Sequence, residues 1–458
     1  MPPEDGSPTP EDAQQSQPVR RRWATFESFR NQQFRWLYLS NAAFFFSMIG
    51  QMVVRSWLAY DMTGSAFALG LVNFSVAIPM LFLSPFGGVL ADRMERRRLI
   101  MSGQAVVFTS EALLLVLLVS GLLEFWHLLA ATFVMGGMFP FIMPARQAIV
   151  ANIVGRHGLT NAMALQLGAM NAARVIAPAS AGFVMSFASV DAAFVVAVTL
   201  YGLAFLCMTK VTPSRAAARP APTTVLRDMG DGVRYVVRDR PVFVLLFLGM
   251  VPILLAMPFQ SLLPVFAGPE VWDVGEIGLG ILHAAAGAGG LIGAFIIATF
   301  SNTHRKLRLM MSSLVFFTGG LALFAISPWF LLGVAFVLFA DVFAAMYQTT
   351  NASIIQLLIP DEVRGRVMSL MMMTFGLTPL GTLPISAAAE AWGAPIAVAA
   401  ACSITLTIGI VFYFVSASLR RLDTIAKAAL EGERDDIPVE MLPTDGDERA
   451  ATASRPVS

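Results

Sequence analysis

The chain has 458 residues, 56% of them apolar and only 13% charged, with a mean hydropathy of +0.69. Soluble domains carry about 25% charged residues, so this composition excludes a soluble globular protein, and a net charge of +1 gives no reason to expect nucleic acid as a partner. The two cysteines, Cys207 and Cys402, both lie in apolar stretches and support neither a disulfide framework nor a metal site.

Taken in chain order, residues 1–34 read as a cytoplasmic tail, whose first part, Met1 to Arg22, is rich in Pro, Glu, Gln and Ser and lacks the apolar core of a cleavable signal. Twelve apolar runs of membrane length follow, at roughly 36–58, 66–90, 99–122, 126–150, 162–187, 192–212, 243–266, 275–300, 308–327, 329–352, 366–389 and 393–418. The expected fold is an all-α integral membrane protein, with twelve transmembrane helices in two pseudo-symmetric six-helix bundles at 35–212 and 243–418. The linker between them, 213–242, carries Val225, Met229, Val233, Val236 and Val237 among Arg227, Asp228, Asp231, Arg234 and Arg238. That spacing predicts an amphipathic helix, either on the cytoplasmic interface or packed on the protein. Residues 419–458 read as a disordered acidic tail.

Charge placement orients the spans. Of 31 Lys and Arg residues, only Arg55, Arg146 and Arg174 fall in span interiors, and the other 28 occupy the tails, the even-to-odd loops or the span ends adjoining those loops. The opposite loops hold Asp61, Glu124, Asp191, Glu270, Asp273, Glu276 and Glu390 and no Lys or Arg. Positive residues stay inside, which puts both termini in the cytoplasm of a plasma (inner) membrane protein. The halves also echo each other at an offset of 205 residues: Gly88 and Gly293 each precede a basic loop, and Asn152 to Leu165 matches Leu357 to Leu370. Such duplication points to a secondary transporter with its site between the halves.

The second-to-third-helix connection reads Gly87-Gly88-Val89-Leu90-Ala91-Asp92-Arg93-Met94-Glu95-Arg96-Arg97-Arg98. It resembles the Gly-x-Leu-Ala-Asp-Arg-x-Gly-Arg-Arg signature of the major facilitator superfamily, with Glu95 where glycine is usual. Trp57 to Ser65, Pro144-Ala145-Arg146-Gln147-Ala148, Asn171 to Pro178, Leu263-Pro264-Val265-Phe266 and Arg364-Gly365-Arg366-Val367 are similar to the enterobactin-exporter and macrolide-efflux branch. In the fifth span, Ala173, Ala177-Pro178 and Ala181-Gly182 resemble the glycine-proline pattern of superfamily antiporters. Ordinary small-residue helix packing explains the same pattern.

The resemblance implies that helices one, four, seven and ten line a cavity. Intramembrane charge is costly and calls for a reason. Asp341 and Glu111 are candidates for proton coupling; a structural partnership is the alternative for Asp341, and Glu111 is expected to face Arg174 or a cavity polar group. Arg174, with Asn171, Pro178 and Gly182, is expected in a network at the interface of the halves. Gln51, Arg55, Gln260, Tyr347, Gln348 and Asn351 are cavity candidates, Arg55 either selecting an anionic group or snorkelling to headgroups. Gly88, Asp92, Arg93, Arg97 and Arg146 form the gating motif implied by the family. There Asp92 holds the cytoplasmic ends together with Arg146 as its partner, and the loop arginines mainly anchor to anionic lipid at about 1 kcal/mol each.

No phosphate-loop motif occurs, which argues against ATP drive from this chain. The reading is therefore not an enzyme, with no cofactor and no metal. It is a monomeric, proton-coupled exporter of small amphiphilic compounds (siderophore-, drug- or metabolite-like), with the lipid bilayer, protons and a small molecule as partners. A lysophospholipid flippase or uncoupled facilitator is the alternative, and a non-transporting sensor or scaffold is the alternative of another class.

Overall fold

The computed structural model describes residues 24–213, 225–299 and 305–415, apart from 360–362, 364–366, 368–369 and 372–375. Thirteen α-helices are described: α1 Gln32–Thr63, α2 Ala66–Arg93, α3 Arg96–Val119, α4 Phe125–Phe187, α5 Val190–Thr209, α6 Val225–Arg238, α7 Arg240–Leu255, α8 Phe259–Ala267, α9 Gly275–Thr299, α10 Lys306–Ala325, α11 Phe330–Leu358, α12 Thr378–Trp392 and α13 Ala394–Val415. There is no strand among the described residues.

Ten segments are long and apolar enough to cross a membrane. They are α1, the Ala66–Ser84 part of α2, α3, the Phe125–Gly155 arm of α4, α5, α7 with α8, α9, α10, α11 and α13. The expected span 162–187 is helical in the second arm of α4, and part of the expected span 366–389 lies outside the described residues. At 1.5 Å per residue, unbroken, the 63-residue α4 would run for roughly 95 Å, about three times the hydrocarbon thickness. Gly155, with φ +68° and ψ −178°, breaks it into two crossings, in a conformation that favours glycine.

Local chemistry sets the other ends. Asn31, Ser65, Ser189 and Asp239 each accept a backbone N–H from the first turn of α1, α2, α5 and α7. Gly64, in the left-handed region, terminates α1. Two expected boundaries move, and one expected span is interrupted. The N-terminal tail becomes ordered before residue 34: a 3-10 turn at Ala24–Arg30 is tied to α4 by Ser28 Oγ donating to Asn161 Oδ1 (2.7 Å) and Asn31 Nδ2 donating to the Ile153 carbonyl (2.9 Å). The linker ends at Asp239 because that residue caps α7. The seventh span is not one helix, since Pro252 and Pro258 interrupt it between Leu255 and Phe259. The amphipathic helix forms as α6, with Val236 buried against Val242 and Leu245 and with Val233 and Val237 exposed.

The core is joined at one end and divided at the other. At the end bearing the acidic loops, one buried cluster includes Leu58, Leu69 and Phe194 of the first half with Phe266, Leu282 and Ile385 of the second. At the end bearing the basic loops, Phe34, Ile100 and Ile149 form one cluster, and Val242, Met310 and Ile354 form a separate one. Close helix approach seals the joined end. A Cβ on Gly182 of α4 would lie 2.9 Å from the Gly280 Cα of α9, and one on Gly70 of α2 would lie 2.8 Å from the Ser386 Cβ of α12. Glu390 of α12 accepts from Ser65 Oγ (3.1 Å) and from the Phe67 N–H (3.2 Å), so a carboxylate of one half caps a helix of the other.

Candidate transport site

Buried polar side chains gather in three places. In the first half, α1 carries Asn41, Ser47, Gln51 and Arg55, and the four-residue steps from Ser47 to Gln51 to Arg55 keep those three on one face of the helix. Arg55 and Glu111 of α3 form a buried ion pair, and Gln51 Nε2 donates to the second carboxylate oxygen at 2.8 Å. Arg55 is 2% exposed and Glu111 0%. A buried pair survives desolvation only when hydrogen bonds satisfy the remaining lone pairs, and Gln51 supplies one. The pairing decides between alternatives left open by the sequence. Arg55 does not snorkel, and Glu111 faces the cavity candidates Arg55 and Gln51 rather than Arg174. The Arg174 side chain is exposed and in no ion pair among the described residues, while its helix face packs on Gly287 of α9. Pro178 and Gly182 lie on the same seam, Gly280 being close to both. Asn171 is partly buried in that arm of α4.

Nearer the basic end of the same half, Arg146 is 2% exposed, and its Nη1 donates to Asn41 Oδ1. The guanidinium carbon lies 4.3 Å from the centroid of the Phe44 ring. The expected contact with Asp92 is not tested, because the side chains of Asp92 and Arg93 lie outside those described; Gly88 is helical within α2.

The third cluster is in the second half. Gln260 sits in the first turn of α8, directly after the helix break, and its side-chain amide lies beside the Asp341 carboxyl of α11. Asp341 is 6% exposed, and its Oδ2 has no partner. A Cβ on Gly289 of α9 would lie 3.0 Å from the Asp341 Cβ, so glycine brings α9 against the carboxyl-bearing turn. Pro252 has no N–H to give to the carbonyl of Leu248, one turn back, and the Tyr347 hydroxyl donates to that carbonyl at 2.8 Å. Asn351 Nδ2 donates to the Leu245 carbonyl at 3.0 Å. Tyr347 and Asn351 therefore knit α11 to α7, and Gln348 is the partly exposed member of that expected trio.

The basic loop also departs from a lipid anchor. Arg96 Nη1 donates to the Ala148 carbonyl (3.1 Å), and Arg97 Nη2 donates to the Thr209 carbonyl at the last turn of α5 (2.8 Å). Glu95 stands at the N-cap position of α3 and pairs with Arg98 Nε at 2.8 Å, which explains an acid where the signature has glycine. Sequence reasoning passed over His283. Its Nε2 is buried without a partner, and it shares with Gly280 and Gly287 the face of α9 that packs on α4. The glycines three residues before and four after it were the available signal.

A family described as transmembrane secretion effector, within the major facilitator superfamily, matches residues 23–442. The chain belongs to this family. It is 27% identical to the staphyloferrin A transporter of Staphylococcus aureus over 388 residues, covering 81% of this chain and 93% of the relative. It is 26% identical to the enterobactin exporter of Escherichia coli over 389 residues (81% and 86%), and 21% identical to macrolide efflux protein A of Streptococcus pyogenes over 330 residues (71% and 80%). Among solved structures, the nucleoside transporter NupG matches with a TM-score of 0.71 at 11% identity, covering 84% of this chain and 98% of that one. A bacterial homologue of the lysosomal transporter Spinster, in an inward-facing and unoccupied conformation, matches with a TM-score of 0.63 at 15% identity (88% and 98%). The fold is that of the superfamily, and the chain is a multi-pass membrane transporter of small molecules.

Proposed function

We propose that this protein is a proton-coupled exporter of small amphiphilic solutes, operating by alternating access of two six-helix bundles with the basic loops in the cytoplasm. The observation that carries coupling is Asp341. It is a buried carboxyl with one amide neighbour, one open oxygen and no cation paired to it among the described residues, beside a broken helix. A proton can neutralise such a group, and its binding and loss would bias the facing equilibrium. The core supports a two-state cycle: it is joined at the acidic end and divided at the basic end, an arrangement open to the cytoplasm under the positive-inside rule. Export is supported by the relatives named as efflux and exporter proteins. Asp92, at the end of α2, is assigned to closing the basic end in the opposite state.

The test is solute flux in proteoliposomes under an imposed pH gradient. Gradient-driven flux that disappears in Asp341→Asn supports coupling. Flux indifferent to the gradient and to Asp341→Asn refutes it and indicates a facilitator or flippase. Binding without flux indicates a sensor.

A further inference from the structure

Among the described residues, Arg146 is a cation without an anion. It lies nine residues before Gly155, and Asn41 lies nine residues after the start of α1, so both sit about 13 Å inside the basic-loop end. Its Nη1 is used by Asn41 Oδ1, and one ring face of Phe44 covers the guanidinium. Its Nε and Nη2 are buried with no hydrogen-bond partner, and so is the neighbouring Asn41 Nδ2. Neither ion pair among the described residues involves Arg146.

The pattern of what is missing is chemically specific. Nε–H and Nη2–H form the edge of a guanidinium that grips a carboxylate or phosphate through two parallel hydrogen bonds. The orphaned amide nitrogen of Asn41, whose oxygen holds Nη1, is another donor. Three unsatisfied donors around one buried positive charge call for an oxyanion. Leaving buried donors open carries a desolvation penalty that an arriving anion removes.

Helix packing alone does not need the charge. The position 205 residues later is Asn351, which joins α11 to α7 through a neutral amide donating to the Leu245 carbonyl. The surroundings are apolar: Phe45, Met138, Ile142, Met143 and Met170 belong to the same cluster as Phe44. Flexible methionines against aromatic rings suit an apolar body of variable shape.

We propose that Arg146, Asn41 and Phe44 form a binding site for one oxyanion, a carboxylate or phosphate, carried on an amphiphilic molecule. Assigning that molecule as the cargo rests on the transport reading above; the anion site itself does not.

The experiment is thermal unfolding of the purified full-length protein in detergent, titrated with citrate or inorganic phosphate against chloride at matched ionic strength. A parallel series in nanodiscs compares phosphatidylglycerol with phosphatidylcholine. Wild type is expected to show a saturable rise in Tm with at least one oxyanion. A response to soluble anions identifies a solute site, and a response to phosphatidylglycerol alone identifies a lipid headgroup; either supports the site. Arg146→Lys, which keeps charge and loses the fork, weakens the response by about tenfold or more. Asn41→Asp supplies an internal carboxylate, so it is expected to raise Tm without ligand and to abolish the response.

Absence of any saturable response in wild type overturns the proposal, as does an undiminished response in both variants. An anion response that emerges only in Asp92→Asn also overturns it, since Asp92 would then be the resident counter-charge. Flux by a protein that binds no oxyanion refutes this site and spares the transport reading; oxyanion binding without flux does the reverse.

Discussion

The two halves place different chemistry at equivalent positions. Arg55 of α1 and Gln260 of α8 are 205 residues apart, at the offset that relates Gly88 to Gly293. Arg55 turns to an acid on the third crossing, Glu111, whose equivalent in the second half is the exposed Phe316. Gln260 turns instead to Asp341 on the tenth crossing, whose equivalent in the first half is Gly136, held tightly against the backbone of Val76. One half thus neutralises its deep carboxylate with a guanidinium and an amide, while the other leaves its carboxyl with an amide and an open oxygen. A carboxylate locked to a guanidinium is a fixed charge pair, whereas one with only an amide can trade a proton. The comparison favours Asp341 over Glu111 as the coupling residue.

The most severe way to break this contrast is Glu111→Leu, which strands the Arg55 charge. We expect a loss of about 3–5 kcal/mol in thermal or denaturant unfolding, with most of it recovered when Arg55→Met is added. If Arg55→Met together with Glu111→Leu is no more stable than Glu111→Leu alone, the pair is not the fixed structural unit described. Asp341→Asn should by contrast leave unfolding nearly unchanged and act on gradient-driven flux. Equal destabilisation by Asp341→Asn and Glu111→Gln would erase the distinction between the halves.

A smaller effect sharpens the reading of the broken seventh crossing. Tyr347→Phe removes the donor to the carbonyl left open by Pro252, at about 1–2 kcal/mol. In a Pro252→Ala background the helix supplies its own N–H, and the Tyr347→Phe penalty should fall toward zero. Equal penalties in both backgrounds would assign Tyr347 a different job. Last comes the latch at the joined end. Glu390→Ala removes a shared cap from α2 and should favour opening there by roughly 0.5–1 kcal/mol. A cysteine at buried Ala68, in a background with Cys207 and Cys402 replaced by serine, should react faster with an impermeant thiol reagent when Glu390 is lost. An unchanged rate removes Glu390 from gating.

Much of the fold was legible because the bilayer imposes a simple rule: about 20 apolar residues per crossing, with backbone groups satisfied inside each helix. Hence the expected starts at 66 and 275 coincide with those of α2 and α9, and most other described ends shift by a few residues. The break in the seventh crossing was less legible, since Pro252 and Pro258 stand in a run too apolar to look interrupted. The candidate site was legible as a set of costly residues and illegible as a set of pairs. Glu111 was visible as an intramembrane acid, but its partner lies 56 residues away on another helix. Arg96 and Arg97 looked like headgroup anchors because nothing local announces the carbonyls of Ala148 and Thr209.

Hydropathy, loop charge and motif spacing, all local along the chain, determined that this protein spans a membrane, where its helices run, and which family it belongs to. Only the tertiary structure decided who faces whom. Each membrane-crossing segment here is apolar nearly all round, so its sequence carries little stripe to specify rotation. Rotation is set instead by glycine contacts such as Gly182 on Gly280, and by the need of each buried polar group for a partner. That need is met for Glu111, half met for Asp341, and open at the bidentate edge of Arg146.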